Sequence, residues 1–308
     1  MPEVRKTTTE VPDITLFRGW ADSGNHVWSP FVIKLEARLR FAGVKYTTDS
    51  GSPLAAPKGK IPYIELRGQD ISSFVDSGGE IKSSEWAIRT GDDGSHIASL
   101  GDSALIIKAL TAPGLLPDIN ERLSPETKCH DMALRALLED KLYFYHVRFC
   151  SSLQFPPHCA SLTRERWVDN YYTMRDHALW SIPYPIRVVV GILAYRKHTA
   201  MLHGQGTGRF NGQEVKRFKT EIWQTIDGLL RASKSAVKDN GEPFWALGGD
   251  GPTEADATLF GFVVSVLICT AGPESREIIR AFPTVTEYAQ RIHDKYFPDY
   301  HKWEEPRT

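Results

Sequence analysis

Three places in the first third of the chain carry residue types suited to holding a peptide-like thiol. Ser29 precedes Pro30. Serine at an N-cap with proline at the first helical position opens a helix, and the free N–H groups there would lower the pKa of a sulfur held against them. Ile61-Pro62 stands at the head of an apolar run. Proline cannot donate to a ladder, so it marks a strand's first residue or an edge, and a cis bond would turn the Ile61 N–H and C=O outward to pair with a ligand as an added strand. Asp102-Ser103 opens a second helix, whose N–H groups and dipole favour a carboxylate while Asp102 faces an ammonium. An amino-acid head at one end, a peptide backbone in the middle and a sulfur at the other describe a glutathione site.

The elements that must position these residues can be read from periodicity. Ile14–Phe17 is a first strand; Phe31, Leu35, Leu39 and Ala42 give the following helix one apolar face, and Gly43 stops it. Val44–Thr48 and Tyr63–Leu66 are further strands, and Ser103–Leu110 is a helix, so the order is β-α-β-β-α with a polar interruption at 72–96. From Leu123 onward the pattern is helical. Ser124-Pro125-Glu126 caps a helix carrying Ala133, Leu134, Leu137, Leu138 and Leu142, and Asn211 with Glu214 begins another through Val215, Phe218, Ile222, Ile226 and Leu229. Thr253 and Asp256 form a capping box ahead of a nearly continuous apolar helix over 257–269. The expected organisation is a tail over 1–13, an α/β domain over 14–112 with an insertion at about 72–96, and an all-helical domain over 123–308.

The Ser-Pro-Phe of 29–31, KGKIPYIEL of 58–66 and DSALIIKAL of 102–110 resemble the thioredoxin-like half of glutathione S-transferases. LSPE at 123–126, LLEDKLY at 137–143, GQGTGR at 204–209 and GDGPTEADATLFGF at 249–262 are similar to the helical half of one branch, the failed-axon-connections and metaxin group with its fungal glutathione-transferase-like relatives. The resemblance implies a thioredoxin-like domain followed by an all-α glutathione-transferase C-terminal-like domain, with glutathione as co-substrate. It implies that Ile61, before Pro62, binds the cysteinyl backbone, that Asp102 and Ser103 bind the γ-glutamyl end, and that Ser29 occupies the thiol-activating position, which is cysteine in omega-like transferases. Asp76-Ser77 is a rival for the glutamyl pair, disfavoured because Gly78-Gly79 do not continue as a helix. The implied activity is conjugation or other processing of a hydrophobic electrophile, with glutathione-dependent isomerase, lyase or dehalogenase chemistry as variants in detoxification or secondary metabolism. A non-catalytic adaptor of the failed-axon or metaxin type is the alternative. Family habit favours a homodimer.

Other features bound the reading. Thirty-seven Lys+Arg against 38 Asp+Glu leave a net charge of −1, which gives no bulk attraction to nucleic acid. Cys129, Cys150, Cys159 and Cys269 are too few and scattered for a disulfide framework, and the first residues lack a signal peptide's apolar core, so a cytoplasmic setting is expected. Ile182–Tyr195 is shorter than the ~18 residues of a membrane span and reads as a buried helix or an interfacial segment. The glycines at 204, 206 and 208 read as a turn between helices rather than a nucleotide loop. His146, Cys150, His158 and Cys159 lack metal-ligand spacing, so no metal is expected. Trp20, Trp28, Tyr143, Tyr171 and Tyr172 either line an apolar co-substrate pocket or serve packing.

Overall fold

A computed structural model of the chain describes residues 12–303 apart from 22, 53–54, 69–70, 77–80, 82, 92–93, 148–170, 181 and 238–240. The chain divides into two compact units, Met1–Glu121 and Arg122–Thr308.

The first unit is a five-stranded mixed sheet in the order β2-β1-β3-β5-β4. Strand β1 (Asp13–Phe17) lies parallel to β2 (Thr47–Asp49), joined through helix α1 (Pro30–Phe41), and antiparallel to β3 (Tyr63–Gly68). After β3 come a short helix α2 (Ile71–Asp76), an edge strand β4 (Ala87–Thr90), then β5 (His96–Gly101) between β3 and β4, and helix α3 (Ser103–Thr111). This is the expected thioredoxin-like arrangement with one added edge strand. Alternation along β1 and β3 buries Ile14, Leu16, Ile64 and Leu66 against Leu35 and Leu39 of α1 and Ile106 and Leu110 of α3.

Two features differ from the periodicity reading. The 72–96 stretch contains most of α2, the whole of β4 and the first residue of β5. Strand β4 is exposed at every position, so burial gives it no alternating signature; Arg89 on it pairs with Glu65 of β3 at 2.9 Å. Helix α1 does not bury one face only. Lys34, Glu36 and Arg38 are buried beside Val32, Ile33, Leu35 and Leu39. Glu36 lies 3.6 Å from the buried Arg18 guanidinium, an opposite charge, and Arg38 donates a hydrogen bond to the Pro117 carbonyl.

The described part of the second unit is helical: α4 (Pro125–Ala136), a wide turn over Leu137–Leu142, α5 (Tyr143–Val147), α6 (Tyr171–Ala178), α7 (Tyr184–Gln205), α8 (Gly212–Ser235), α9 (Glu254–Ile268), α10 (Pro273–Arg280) and α11 (Pro283–Tyr296). Leu134, Leu138 and Leu142 recur every four residues and are buried. Helix α9 is buried from Ala255 to Leu267 and forms the centre of this unit. Its N-terminus is fixed twice. Thr253 and Asp256 close the expected capping box, and the buried Asp131 of α4 accepts from the Ala255 N–H at 2.7 Å. Among the described residues no single helix is long and apolar enough to cross a membrane. Of the 182–195 segment, residues from Tyr184 onward form the start of α7, but Ile186, Val189, Ile192 and Leu193 are exposed, so the buried-helix reading does not hold there.

His293 on α11 is buried, with its ring edge-on to Trp303 at 5.5 Å. Burial pushes its pKa below the usual histidine value despite the neighbouring Asp294 carboxylate. The fold therefore holds the neutral ring, and the unfolded chain takes up a proton that the fold resists. Stability from this site is present above the unfolded value of about 6.5 and lost as pH falls below it. Urea midpoints measured from about pH 7.5 down to pH 5.5 are expected to fall, and His293→Gln to flatten the decline.

Candidate functional site

The three sequence motifs all sit on the first unit, and backbone pairing joins two of them. Strand β3 begins at Tyr63, opposite Gly101 at the end of β5. The next residue out on each side is Pro62 and Asp102, and the Asp102 N–H donates to the Pro62 carbonyl at 3.2 Å. The Ile61-Pro62 bond is cis. Among the described residues no backbone group pairs with the N–H or C=O of Ile61. The loop leaving β1 passes the same point: a Cβ on Gly19 would lie 3.4 Å from Ile61 side-chain carbons, and Gly19 has φ +83°.

Asp102 is the one non-glycine residue with positive φ among those described, at φ 84° and ψ 119°. An L-residue there carries strain of order 1–3 kcal/mol. Its Oδ1 caps α3 by accepting from the Ala104 N–H at 3.0 Å and the Leu105 N–H at 3.4 Å. Those bonds leave Oδ2 with no hydrogen-bond partner among the described residues. Ser103, the first helical residue, is 4% exposed.

Ser29 caps α1, its hydroxyl oxygen accepting from the Val32 N–H at 3.4 Å. The hydroxyl proton keeps no acceptor among the described residues. Ser29 makes no hydrogen bond to Ile61, Asp102 or Ser103. As a cap it contributes about 1 kcal/mol. Ser29→Ala is expected to lower stability by that amount, read as a small shift in urea midpoint.

Trp28 is buried in the first unit and Trp20 half-buried in the loop after β1. Tyr143 and Tyr172 belong to α5 and α6 of the second unit, Tyr172 lying exposed with the Arg175 guanidinium 5.2 Å from its ring. The Tyr171 side chain lies outside the described residues. Asp76 is the exposed last residue of α2, not the start of a helix, and Ser77 lies outside the described residues. Gly206 ends α7 in a left-handed turn, with φ 96°, before a short helical turn over 207–209. Cys150, His158, Cys159 and the His146 side chain lie outside the described residues.

Sequence reasoning missed the packing that supports the Pro62 corner. Phe17, closing β1, stacks on Tyr63 with ring centroids 4.3 Å apart and planes 5° from parallel. Gly51, at φ +56°, lies beneath that pair: a Cβ there would come within 2.7 Å of the Tyr63 hydroxyl and 2.8 Å of Phe17 Cβ. A glycine soon after a strand was the available signal.

Residues 30–154 of the chain match the family model described as the glutathione S-transferase N-terminal domain. Among curated proteins it is similar to Failed axon connections of Drosophila melanogaster, 23% identical over 287 residues that make up 90% of this chain. The match covers 56% of that relative, so the chain spans about half its length. Among solved structures, a glutathione S-transferase from Rhodospirillum rubrum is 12% identical with a TM-score of 0.46, covering 96% of this chain and 93% of the other. A glutathione transferase family member from Pseudomonas fluorescens, with two glutathione bound, is 13% identical with a TM-score of 0.45, covering 91% and 88%. Glutathione transferase GSTFuA3 from Phanerochaete chrysosporium is 16% identical with a TM-score of 0.46, covering 97% and 100%.

Proposed function

We propose that the first unit binds glutathione and that the chain uses it to process a hydrophobic electrophile in a reducing compartment. Asp102 carries this reading. A strained non-glycine residue persists where glycine would be comfortable, hydrogen-bonded to Pro62 and with one carboxylate oxygen left over. In this reading Asp102 Oδ2 accepts from the γ-glutamyl ammonium and the Ser103 hydroxyl meets the adjoining carboxylate. The Ile61 N–H and C=O pair with the cysteinyl backbone. The Ser29 hydroxyl donates to the thiolate, which the N-terminus of α1 also favours. The thiol proton goes to solvent, a carbon–sulfur bond forms, and the leaving group departs with its electron pair.

The test pairs affinity with stability. Asp102→Gly relieves the backbone strain and costs only a few tenths of a kcal/mol as a cap, so the urea midpoint is expected to hold or rise. Glutathione affinity, measured by calorimetry, is expected to fall about tenfold or more, because a charged hydrogen bond is lost. Unchanged affinity with altered stability would make Asp102 a cap alone.

A second reading is a non-catalytic adaptor that keeps the fold. The similarity to Failed axon connections favours it, as does the use of both Ser29 and Asp102 in capping. The two readings part on whether glutathione binds. Homodimer formation would fit either.

A further inference from the structure

Helix α7 presents an apolar face that nothing described in the second unit covers. Ile186, Val189 and Leu193 are each 57–58% exposed and Ile192 is 44% exposed, while Trp180 and Tyr184 are exposed just before the helix and at its first residue. The spacing of 186, 189 and 193 places them on one side of the helix. Arg196, also exposed, continues that side by another turn.

Charge indicates what covers it. The sequence from 177 to 213 contains no Asp or Glu, although the whole chain has 38. It holds Arg187, Arg196, Lys197 and Arg209, so this stretch is cationic in a chain of net charge −1. The last acid before it, Asp176, is already paired with Arg175 at 2.8 Å and lies 3.6 Å from Arg187. An exposed aliphatic ridge, flanked by Trp and Tyr, with cations and no acids, has the composition of a helix that lies in a membrane interface. A neutral protein partner would explain the aliphatic residues but not the missing acids.

We propose that α7 docks this chain onto an anionic lipid surface, its Ile186–Val189–Leu193 side entering the acyl boundary and Arg196 meeting the headgroups. The inference is independent of glutathione. It concerns attachment to a surface and requires no helix to cross a membrane.

Co-sedimentation of the full chain with phosphatidylcholine vesicles, with and without phosphatidylserine, tests it. Binding is expected only with phosphatidylserine and should weaken in high salt. Val189→Glu with Leu193→Glu should lower the bound fraction more than about tenfold, and Arg196→Ala about fivefold. These side chains are exposed, so circular dichroism should match the parent. Failure to bind phosphatidylserine vesicles, or equal binding by parent and double variant, would overturn the proposal. So would a parent that is dimeric without lipid, ignores vesicles, and becomes monomeric in the double variant, which would assign the face to a second copy.

Discussion

Asp256→Ala is expected to cost roughly 3–5 kcal/mol of stability in the helical unit. The carboxylate accepts from the Ala246 N–H at 2.7 Å, the Thr253 N–H and hydroxyl at 2.8 Å each, and the Tyr288 hydroxyl at 2.8 Å. It thereby ties the loop before α9 to the start of α9 and to α11. Asp256 is buried, and burial pushes its pKa up while these hydrogen bonds oppose the rise. Removal strands two backbone donors in the interior, and a buried donor without a partner costs about 1–3 kcal/mol. Asp256→Asn retains one acceptor oxygen and should fall between parent and Asp256→Ala. Urea unfolding followed by circular dichroism checks the order; a loss below about 1 kcal/mol for the alanine variant would contradict it.

Gly51→Ala should cost about 2–4 kcal/mol in the first unit, and disturb the candidate site as well. The added carbon would need the left-handed φ of +56° and would meet three atoms within 2.8 Å: the Tyr63 hydroxyl, Phe17 Cβ and Phe17 Cδ1. Phe17 Cβ is attached directly to β1 and cannot swing away without moving the strand. Tyr63 follows Pro62, so its displacement carries the Ile61-Pro62 corner with it. The expected result is a lower urea midpoint and a parallel loss of glutathione binding. Tyr63→Phe in the Gly51→Ala background removes one of the three close atoms and should recover part of both losses. Additive single-variant effects would show that the crowding is absent.

Some of this was legible from residues alone because short-range chemistry dictates it. Ser29-Pro30, Ser124-Pro125, Asn211 with Glu214, and Thr253 with Asp256 each satisfy a helix's first N–H groups locally, and all four cap helices in the fold. Pro62 likewise marked the head of β3, and Asp102 the start of α3. What escaped depends on distant partners. The exposed β4 carries no alternating pattern, and the central β5 reads HIASLG, too short and too mixed to stand out from its polar surroundings. The burial of Glu36 and Arg38 on α1 has no local signal, because their partners, Arg18 and Pro117, lie outside the helix. The candidate site divides the same way. Its residue types were visible, but the hydrogen bond between Asp102 and Pro62, the positive φ of Asp102 and the Gly51–Tyr63–Phe17 contact belong to strand pairing.

Titration of the folded full chain with reduced glutathione by calorimetry shows whether the first unit holds the tripeptide. Saturable binding at or below millimolar glutathione is expected, weakened in Asp102→Gly while the urea midpoint holds. No heat of binding at millimolar glutathione, with circular dichroism showing the chain folded, would contradict it and leave the adaptor reading standing.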